Sequence, residues 1–250
     1  MNNQGNTFLI TGGGSGIGRG LAEAFHQLGN HVIIAGRRAD VLREVTDANP
    51  GMHAIELDIE NPDTIAAFAL RVRTEFPAVN VLINNAGIMR PETAAAAPGY
   101  LADAEAMIVT NLLGPIRLTA ALLPHFLAQP RAAVMMVSSG LAFVPLAAFP
   151  TYCATKAAIH SYAVSLRHQL RETAVKVIEI APPYVQTHLM GEHQASDPNA
   201  MPLQDFISEA MDILGQGPAD GEVIVGRCKP LRFASENGSM AGMFAMLNPA

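Results

Sequence analysis

The sequence predicts a doubly wound α/β fold, in which a seven-stranded, mainly parallel sheet is covered by helices on both faces. Short apolar runs alternate with longer segments of helical periodicity along the chain. The short runs are apolar at almost every position, as expected for strands buried on both faces. A glycine-rich segment at residues 11–18 joins the first strand to the first helix. We expect one domain over residues 1–250.

The elements follow in order from these patterns. In chain order, the predicted strands are 8–11, 31–35, 54–57, 81–84, 133–137, 176–180 and 222–225, and the predicted helices are 21–28, 41–48, 64–76, 103–127, 152–171 and 203–214. Because helices separate the strands, parallel neighbours joined by right-handed crossovers are expected. Asn111, Gly114 and Pro115 should kink or unwind the helix predicted at 103–127. The longest irregular stretch is 188–202, and residues 188–215 are predicted to form a substrate lid.

Composition narrows the function classes. Of 250 residues, 50% are hydrophobic and 15% charged, and the net charge of -6 argues against a nucleic-acid or anionic-membrane surface. A small-molecule partner is expected instead. Cys153 and Cys228 lie far apart without CxxC spacing, which indicates no disulfide scaffold or zinc module and favours a cytoplasmic location. We see no signal peptide, and Ser138, Pro145 and Pro150 interrupt the uncharged stretch at 132–155, so we expect no membrane span.

The segment at residues 11–18 reads T-G-x-x-x-G-x-G and opens the first helix, where backbone N–H groups and the helix dipole can bind a pyrophosphate. Arg19 and Gly20 stand where a Walker A loop needs Lys and Ser or Thr. Ile17 replaces the last glycine of the G-x-S-x-G hydrolase turn. The segment therefore predicts a dinucleotide site, with a merely flexible turn as the alternative. The predicted contacts are Gly12, Gly14, Ser15, Gly16, Ile17 and Gly18.

The end of the second strand carries Arg37 and Arg38 where an acid would bind the 2′-hydroxyl of the NAD ribose. Two guanidinium groups suit the additional phosphate of NADP, so we expect NADP rather than NAD. Arg38 is equally explained as a solvated charge at a helix start. Asp58 could cap a helix or accept a hydrogen bond from adenine.

Tyr152 and Lys156 lie four residues apart at a helix start, so their side chains share one face. A cation beside a phenol lowers the phenol pKa from about 10, which would make proton exchange easier. Ser139 ends the fifth strand, where a doubly wound sheet presents its ligands. Taken alone, the Tyr–Lys pair is equally typical of a helix surface, and Ser-Ser-Gly is a common turn sequence.

Together, the glycine loop, Asn84-Asn85-Ala86-Gly87, Asn111, Ser139 and Tyr152-x-x-x-Lys156 closely resemble the short-chain dehydrogenase/reductase family over roughly residues 7–190. The resemblance implies a Rossmann-like fold, with Tyr152 as proton donor, Lys156 lowering its pKa and holding the nicotinamide ribose, and Ser139 binding the substrate oxygen. It further implies a water held by Asn111, cofactor contacts from Asn85, Ala86, Gly87, Asp58, Ile59, Val185 and Thr187, and a homodimer or homotetramer. No metal is implied.

One position departs from the family. Pro183 replaces the usual glycine after the sixth strand, which puts in question the loop path and whether Tyr184 contacts substrate or only packs in the loop.

The sequence therefore predicts an oxidoreductase that transfers hydride between NADP(H) and a carbonyl or secondary alcohol. A non-catalytic NADP(H)-binding regulatory protein is the alternative. A zinc dehydrogenase is disfavoured, because His188 and His193 lack a partner cysteine or acid set. The apolar C-terminal tail predicts burial against another subunit or over a pocket. Substrate identity and reaction direction do not follow from the sequence.

Overall fold

A seven-stranded sheet of order β3-β2-β1-β4-β5-β6-β7 forms the centre of the computed structural model, which describes residues 3–218 and 220–249. Every pairing between these strands is parallel, so the predicted fold class is confirmed. The strands are β1 (Thr7–Thr11), β2 (His31–Gly36), β3 (His53–Glu56), β4 (Val81–Asn84), β5 (Ala132–Val137), β6 (Val175–Ile180) and β7 (Glu222–Val223).

Helices cover both faces of the sheet. They are α1 (Gly16–Gln27), α2 (Ala39–Ala48), α3 (Pro62–Glu75), α4 (Leu101–Ile108), α5 (Gly114–Leu127), α6 (Pro150–Gln169), α7 (Glu192–Ser196), α8 (Leu203–Gln216), α9 (Lys229–Arg232) and α10 (Met240–Leu247). Short 3₁₀ turns lie at Ala94–Ala96, Gly140–Ala142 and Gly226–Cys228. Phe25 of α1 and Phe206 of α8 belong to the core on one face, and Phe68 of α3 and Phe126 of α5 to the core on the other. All strand positions of β1, β4 and β5 are buried, which explains their uninterrupted apolar sequences.

β1 lies at the switch point of the sheet, since it pairs with β2 on one side and with β4 on the other. From β1, the chain adds strands first toward one edge of the sheet and then, from β4 on, toward the other. Chain connections from these strands leave on opposite sides, and a crevice therefore opens at their carboxyl ends. This topology places the glycine loop after β1 beside the ends of β4 and β5.

The predicted break in the long helix is confirmed. A π-helical turn, Val109–Leu113, separates α4 from α5 and contains the buried Asn111. A Cβ at Gly114 would lie 2.8 Å from the Ile59 carbonyl oxygen, so glycine permits this close approach. Within the described residues, the run Leu101–Leu127 is the one helix apolar and long enough to cross a membrane, with a mean hydropathy of 1.6. However, α5 packs against α3 and α4 against α6, so the run is part of the layered fold.

The second half of the predicted lid is a core helix. α8 packs on α1, and its Phe206, Ala210 and Leu214 are fully buried. Its amphipathic pattern is that of a helix covering the sheet, and the assignment of residues 188–215 to a substrate lid stays a prediction. The remaining segment, 188–202, contains α7.

The C-terminal tail forms α10 with exposed Phe244 and Met246. Asn248 ties it to the loop before α6: its Oδ1 accepts from the Ala147 N–H at 2.5 Å, and its Nδ2 donates to the Pro145 carbonyl at 3.1 Å. The tail therefore packs on the chain segment that leads to Tyr152.

Candidate active site

A cavity of about 680 Å³ opens at the carboxyl ends of the central strands. Its walls come from the glycine loop, the ends of β2, β4 and β5, the start of α6 and the segment after β6. Among the predicted site residues, those that line it are Gly12, Gly14, Ser15, Gly16, Ile17, Arg37, Arg38, Ile59, Asn85, Ala86, Gly87, Ser139, Tyr152, Lys156, Val185 and Thr187. The predicted site residues Gly18, Asp58 and Asn111 do not line the cavity.

The glycine loop needs glycine for its path and for its packing. Gly12 and Gly16 have φ values of 67° and 52°, which L side chains rarely adopt. A Cβ at Gly18 would lie 2.3 Å from the Gly12 carbonyl oxygen, so this glycine lets α1 approach the loop. Asn85 then fastens the loop to β4, because its Nδ2 donates to the Thr11 carbonyl at 3.0 Å and to the Gly12 carbonyl at 3.4 Å.

The first turn of α1 fits a dinucleotide phosphate. Ser15 occupies the N-cap without a side-chain cap hydrogen bond, and no acidic residue lies in the first turn. The N–H groups in the first turn of a helix have no partner within the helix, and Gly14, Ser15 and Gly16 at this helix end line the cavity. The residues present therefore suit a pyrophosphate, which would supply the acceptors that the chain does not.

Two arginines lie at the other end of this wall. Arg37 pairs with Glu60, with 2.8 Å between Nη1 and Oε1, and Arg38 Nη2 lies 3.5 Å from Ser15 Oγ. Glu60 also accepts from Thr110 Oγ1 at 2.9 Å. Sequence reasoning missed Glu60, because its pairing joins residues from two different loops. Asp58 acts as a turn residue here, since its carboxylate accepts from the Glu60 N–H at 3.1 Å and does not line the cavity.

Tyr152, Lys156 and Ser139 come together at the centre of the cavity. Tyr152 and Lys156 are only 6% and 5% exposed. The ammonium of Lys156 donates to the Val137 carbonyl at 2.8 Å and lies 5.6 Å from the centre of the Tyr152 ring. Ser139 accepts from the Leu141 N–H at 3.1 Å, which fixes its side chain at the end of β5. This arrangement places a phenol, a cation and a hydroxyl in one cavity.

The predicted lowering of the Tyr152 pKa by Lys156 is wrong for the chain alone. Burial raises the pKa of Tyr152 well above its usual value, and the hydrogen bond from Ser139 only partly opposes this effect. Burial also lowers the pKa of Lys156 to about 8, while the charge of Glu179 acts to raise it. The reason is physical: both groups lose water, and desolvation disfavours the charged form of each.

The side chain of Asn111, in the π-helical turn, joins two segments of the site wall. Its Oδ1 accepts from the Ile88 N–H at 2.8 Å, and its Nδ2 donates to the Ile88 carbonyl at 2.8 Å and to Thr155 Oγ1 at 3.3 Å. The side chain thus holds the loop after β4 against α6. Its role in binding a water stays a prediction.

The loop after β6 reaches the cavity despite Pro183. Val185 and Thr187 both line the wall, and Gln194 of α7 holds them by donating to the Val185 carbonyl at 2.8 Å and to Thr187 Oγ1 at 3.1 Å. Tyr184 does not line the cavity, since its hydroxyl lies 3.1 Å from Asp197 Oδ2. Tyr184 is 38% exposed, and a contact of its side chain with substrate stays a prediction.

A buried polar network that the sequence analysis missed lies behind the site. Glu179 on β6 is fully buried; its carboxylate accepts from Ser138 Oγ at 2.5 Å and pairs with His160 Nδ1 at 2.8 Å. Glu222, His160 and Glu179 form a cluster of three side chains that could each offer one atom to a metal ion. Arg232 already pairs with Glu222 at 2.7 Å, which indicates a salt-bridge network rather than a metal site. The available signal was Glu179 itself, a single acid inside an apolar strand.

The parallel sheet, the glycine loop at the switch point and the buried Tyr–Lys–Ser group define a dinucleotide-dependent oxidoreductase. The family model described as short chain dehydrogenase matches residues 6–198. The chain therefore belongs to the short-chain dehydrogenase family.

Individual comparisons agree. The chain is 41% identical over 215 residues to the uncharacterized oxidoreductase DltE of Bacillus subtilis, covering 85% of each chain. It is 26% identical to a short chain dehydrogenase from Burkholderia cenocepacia solved with NADP, with a TM-score of 0.83 and coverage of 98% and 99%. It is 30% identical to serine dehydrogenase from Escherichia coli, with a TM-score of 0.74 and coverage of 87% and 94%. Solved structures that the chain matches at 25–29% identity hold NADP or NADH, so a nicotinamide cofactor is supported.

Proposed function

We propose that this chain reduces the carbonyl group of a small molecule with NADPH, or oxidises the corresponding alcohol with NADP⁺. The observation that carries the proposal is the convergence of Tyr152, Lys156 and Ser139 on one cavity with the glycine loop. A protein that only binds a dinucleotide has no need of a buried phenol and ammonium, whose desolvation is unfavourable.

The chain's own residues would hold the cofactor and place the substrate. The first turn of α1 and the glycine loop would bind the pyrophosphate, Asn85, Ala86 and Gly87 the adenosine side, and Val185 and Thr187 the carboxamide. When bound, the cofactor supplies the hydride for the carbonyl carbon. Tyr152 and Ser139 would bind the carbonyl oxygen, which fixes the carbon for attack.

Proton transfer to the same oxygen completes the reaction. Because its pKa is raised, Tyr152 carries its proton at neutral pH and can donate it as the oxygen gains charge. In reduction, the C=O π bond breaks, new C–H and O–H bonds form, and the phenolate remains beside the Lys156 ammonium. The charged form of Lys156 stabilises that phenolate. In the reverse direction, Tyr152 must first lose its proton.

The preference for NADP is supported by Arg37 and Arg38, which are partly solvent-exposed and can turn toward a 2′-phosphate. Glu60 competes for Arg37 and would have to share it with that phosphate. We therefore assign the larger part of the preference for NADP to Arg38. In the part of the chain that the structure describes, Arg38 forms no ion pair with an acidic side chain.

The proposal also covers the substrate lid, the cellular location and the oligomeric state. The substrate lid would be the segment 188–202, of which His188, Leu189 and Gln194 line the cavity. Buried, unpaired Cys153 and Cys228 support a reducing cytoplasm. Exposed Leu101, Ile108 and Val164 on the outer faces of α4 and α6 support a homodimer or homotetramer.

The test is a panel of ketones, aldehydes and alcohols assayed by absorbance with NADPH and NADH, in wild type, Tyr152→Phe and Tyr162→Phe. Tyr162 is the matched control, since it lies on α6 and does not line the cavity. Loss of the general acid should reduce kcat by roughly 10²–10⁴-fold, with NADPH binding retained. Faster turnover with NADH would overturn the cofactor preference. NADPH binding without turnover of any compound would favour the regulatory alternative.

A further inference from the structure

The cavity differs in charge from the rest of the protein. Arg37, Arg38, Arg90, Lys156 and His188 line it, and no Asp or Glu among the described residues does. The whole chain has a net charge of -6, with 22 acidic and 16 basic residues. A basic cavity in an acidic protein concentrates anions at that one place.

The basic groups lie in two places. Arg37 and Arg38 follow β2 at the nucleotide end and suit the phosphates of a cofactor. Arg90 and His188 belong to segments beside Tyr152, because Met89 packs in one apolar cluster with Tyr152, and Met190 packs against that cluster. The second pair therefore lies on the substrate side, where the proposed cofactor does not need it.

Arg90 and His188 are held by acids outside the cavity wall. Arg90 pairs with Asp103 of α4, and His188 Nε2 lies 3.3 Å from Glu192 Oε1. Both contacts are solvent-exposed, with side-chain exposures of 47% for Arg90 and 63% for His188. Exposed pairs of this kind are weak, so a ligand anion can take over the cation with little loss.

The cavity also has apolar lining next to these two residues in the chain. Ile88, Met89 and Leu189 line it, together with Pro183. A short hydrocarbon segment could pack there, with a reacting carbonyl at Tyr152 on one side and a charged group at the rim on the other. The planar guanidinium of Arg90 can bind both oxygens of a carboxylate.

We infer that the substrate is an oxo acid or the corresponding hydroxy acid, whose carboxylate binds Arg90 with His188 beside it. This inference rests on the proposed function and names its substrate class. Arg90 is then a specificity-determining residue, while Tyr152, Ser139 and Lys156 act on the carbonyl. Removing Asp103 should strengthen binding, because it frees Arg90 for the substrate.

The test uses matched substrates with NADPH: 3-oxobutanoate and 4-oxopentanoate, each against its methyl ester. We expect kcat/KM to be at least about 10-fold higher for one or both acids than for its ester, as for a hydrogen bond to a charged group. Arg90→Gln should remove most of this difference through KM, with a much larger loss of kcat/KM for the acid than for the ester. Asp103→Asn should lower KM for the acid. Added salt should reduce kcat/KM for the acid more than for the ester.

The matched control is Arg71→Gln, since Arg71 also forms an exposed ion pair, with Glu75, and does not line the cavity. Esters turned over as well as acids would overturn the anion inference while leaving hydride transfer intact. Equal loss for both substrates in Arg90→Gln would also overturn it, since Arg90 would then be merely structural. If no compound is turned over, the anion inference can still be tested by thermal unfolding. Adding 4-oxopentanoate with NADP⁺ should raise the Tm of wild type but not of Arg90→Gln, and equal Tm shifts in both proteins would overturn the inference.

Discussion

The close approach of α1 to the glycine loop makes Gly18→Ala a sharp test of the site's geometry. The new Cβ would lie 2.3 Å from the Gly12 carbonyl oxygen and 2.4 Å from Asn85 Nδ2, whereas ordinary contact begins at 3.4 Å. The loop would have to move by about 1.1 Å relative to α1. That movement would stretch the bonds from Asn85 to Thr11 and Gly12.

The magnitude follows from two opposing effects. Overpacking costs about 1–3 kcal/mol, and alanine in a helix regains up to about 1 kcal/mol relative to glycine. Allowing for the stretched hydrogen bonds, we expect a net destabilisation of about 2 kcal/mol. For a chain of this size, that lowers Tm by about 4–8 °C. NADPH should also bind more weakly, because the displaced atoms form the phosphate wall.

The assays are thermal unfolding by circular dichroism and NADPH binding by fluorescence. Gly242→Ala is the matched control: Gly242 is also helical, and no atom lies within 4 Å of its added Cβ. Its Tm should stay equal or rise slightly. A Gly18→Ala protein with the Tm and NADPH affinity of wild type would refute the reasoning, because the loop would then tolerate the displacement without cost.

Two further predictions concern the network behind the site. Glu179→Ala removes the hydrogen-bond acceptor of Ser138 and the partner of His160. It should destabilise the protein by about 3 kcal/mol, measured as a fall in the urea midpoint of unfolding. Glu56→Ala, at an exposed position, is the control, and equal midpoints for the two variants would contradict the expectation. The hydrogen bond to Glu179 raises the pKa of His160, so its charged form stabilises the fold below the unfolded pKa of about 6.5, and this contribution is lost as pH rises through the higher folded pKa. The Tm difference between wild type and His160→Gln should therefore be larger at low than at high pH; a constant difference would argue against the His160–Glu179 pair.

Much of the fold could be predicted because its signals are local. The predicted starts of β1, β2 and β4 fall within one residue of the structure, since uninterrupted apolar runs mark buried strands. The start of α1 was predicted five residues late, at 21 instead of Gly16, because glycines lower helix propensity and masked the first turn. The five-residue α7 and the four-residue α9 were missed, since segments this short carry too little periodicity, and α10 was missed because its sequence, MAGMFAML, has no polar face.

The sequence by itself determined the strand–helix alternation, the glycine loop, and the placement of Tyr152 and Lys156 on one helical face, because each depends on residues close together in the chain. The tertiary structure alone decided that burial raises the Tyr152 pKa, that Glu179 joins Ser138 to His160, and that Arg90 lines the same cavity as Tyr152. These features depend on desolvation and on contacts between segments distant in sequence. Both arise only when the sheet and its helices pack together.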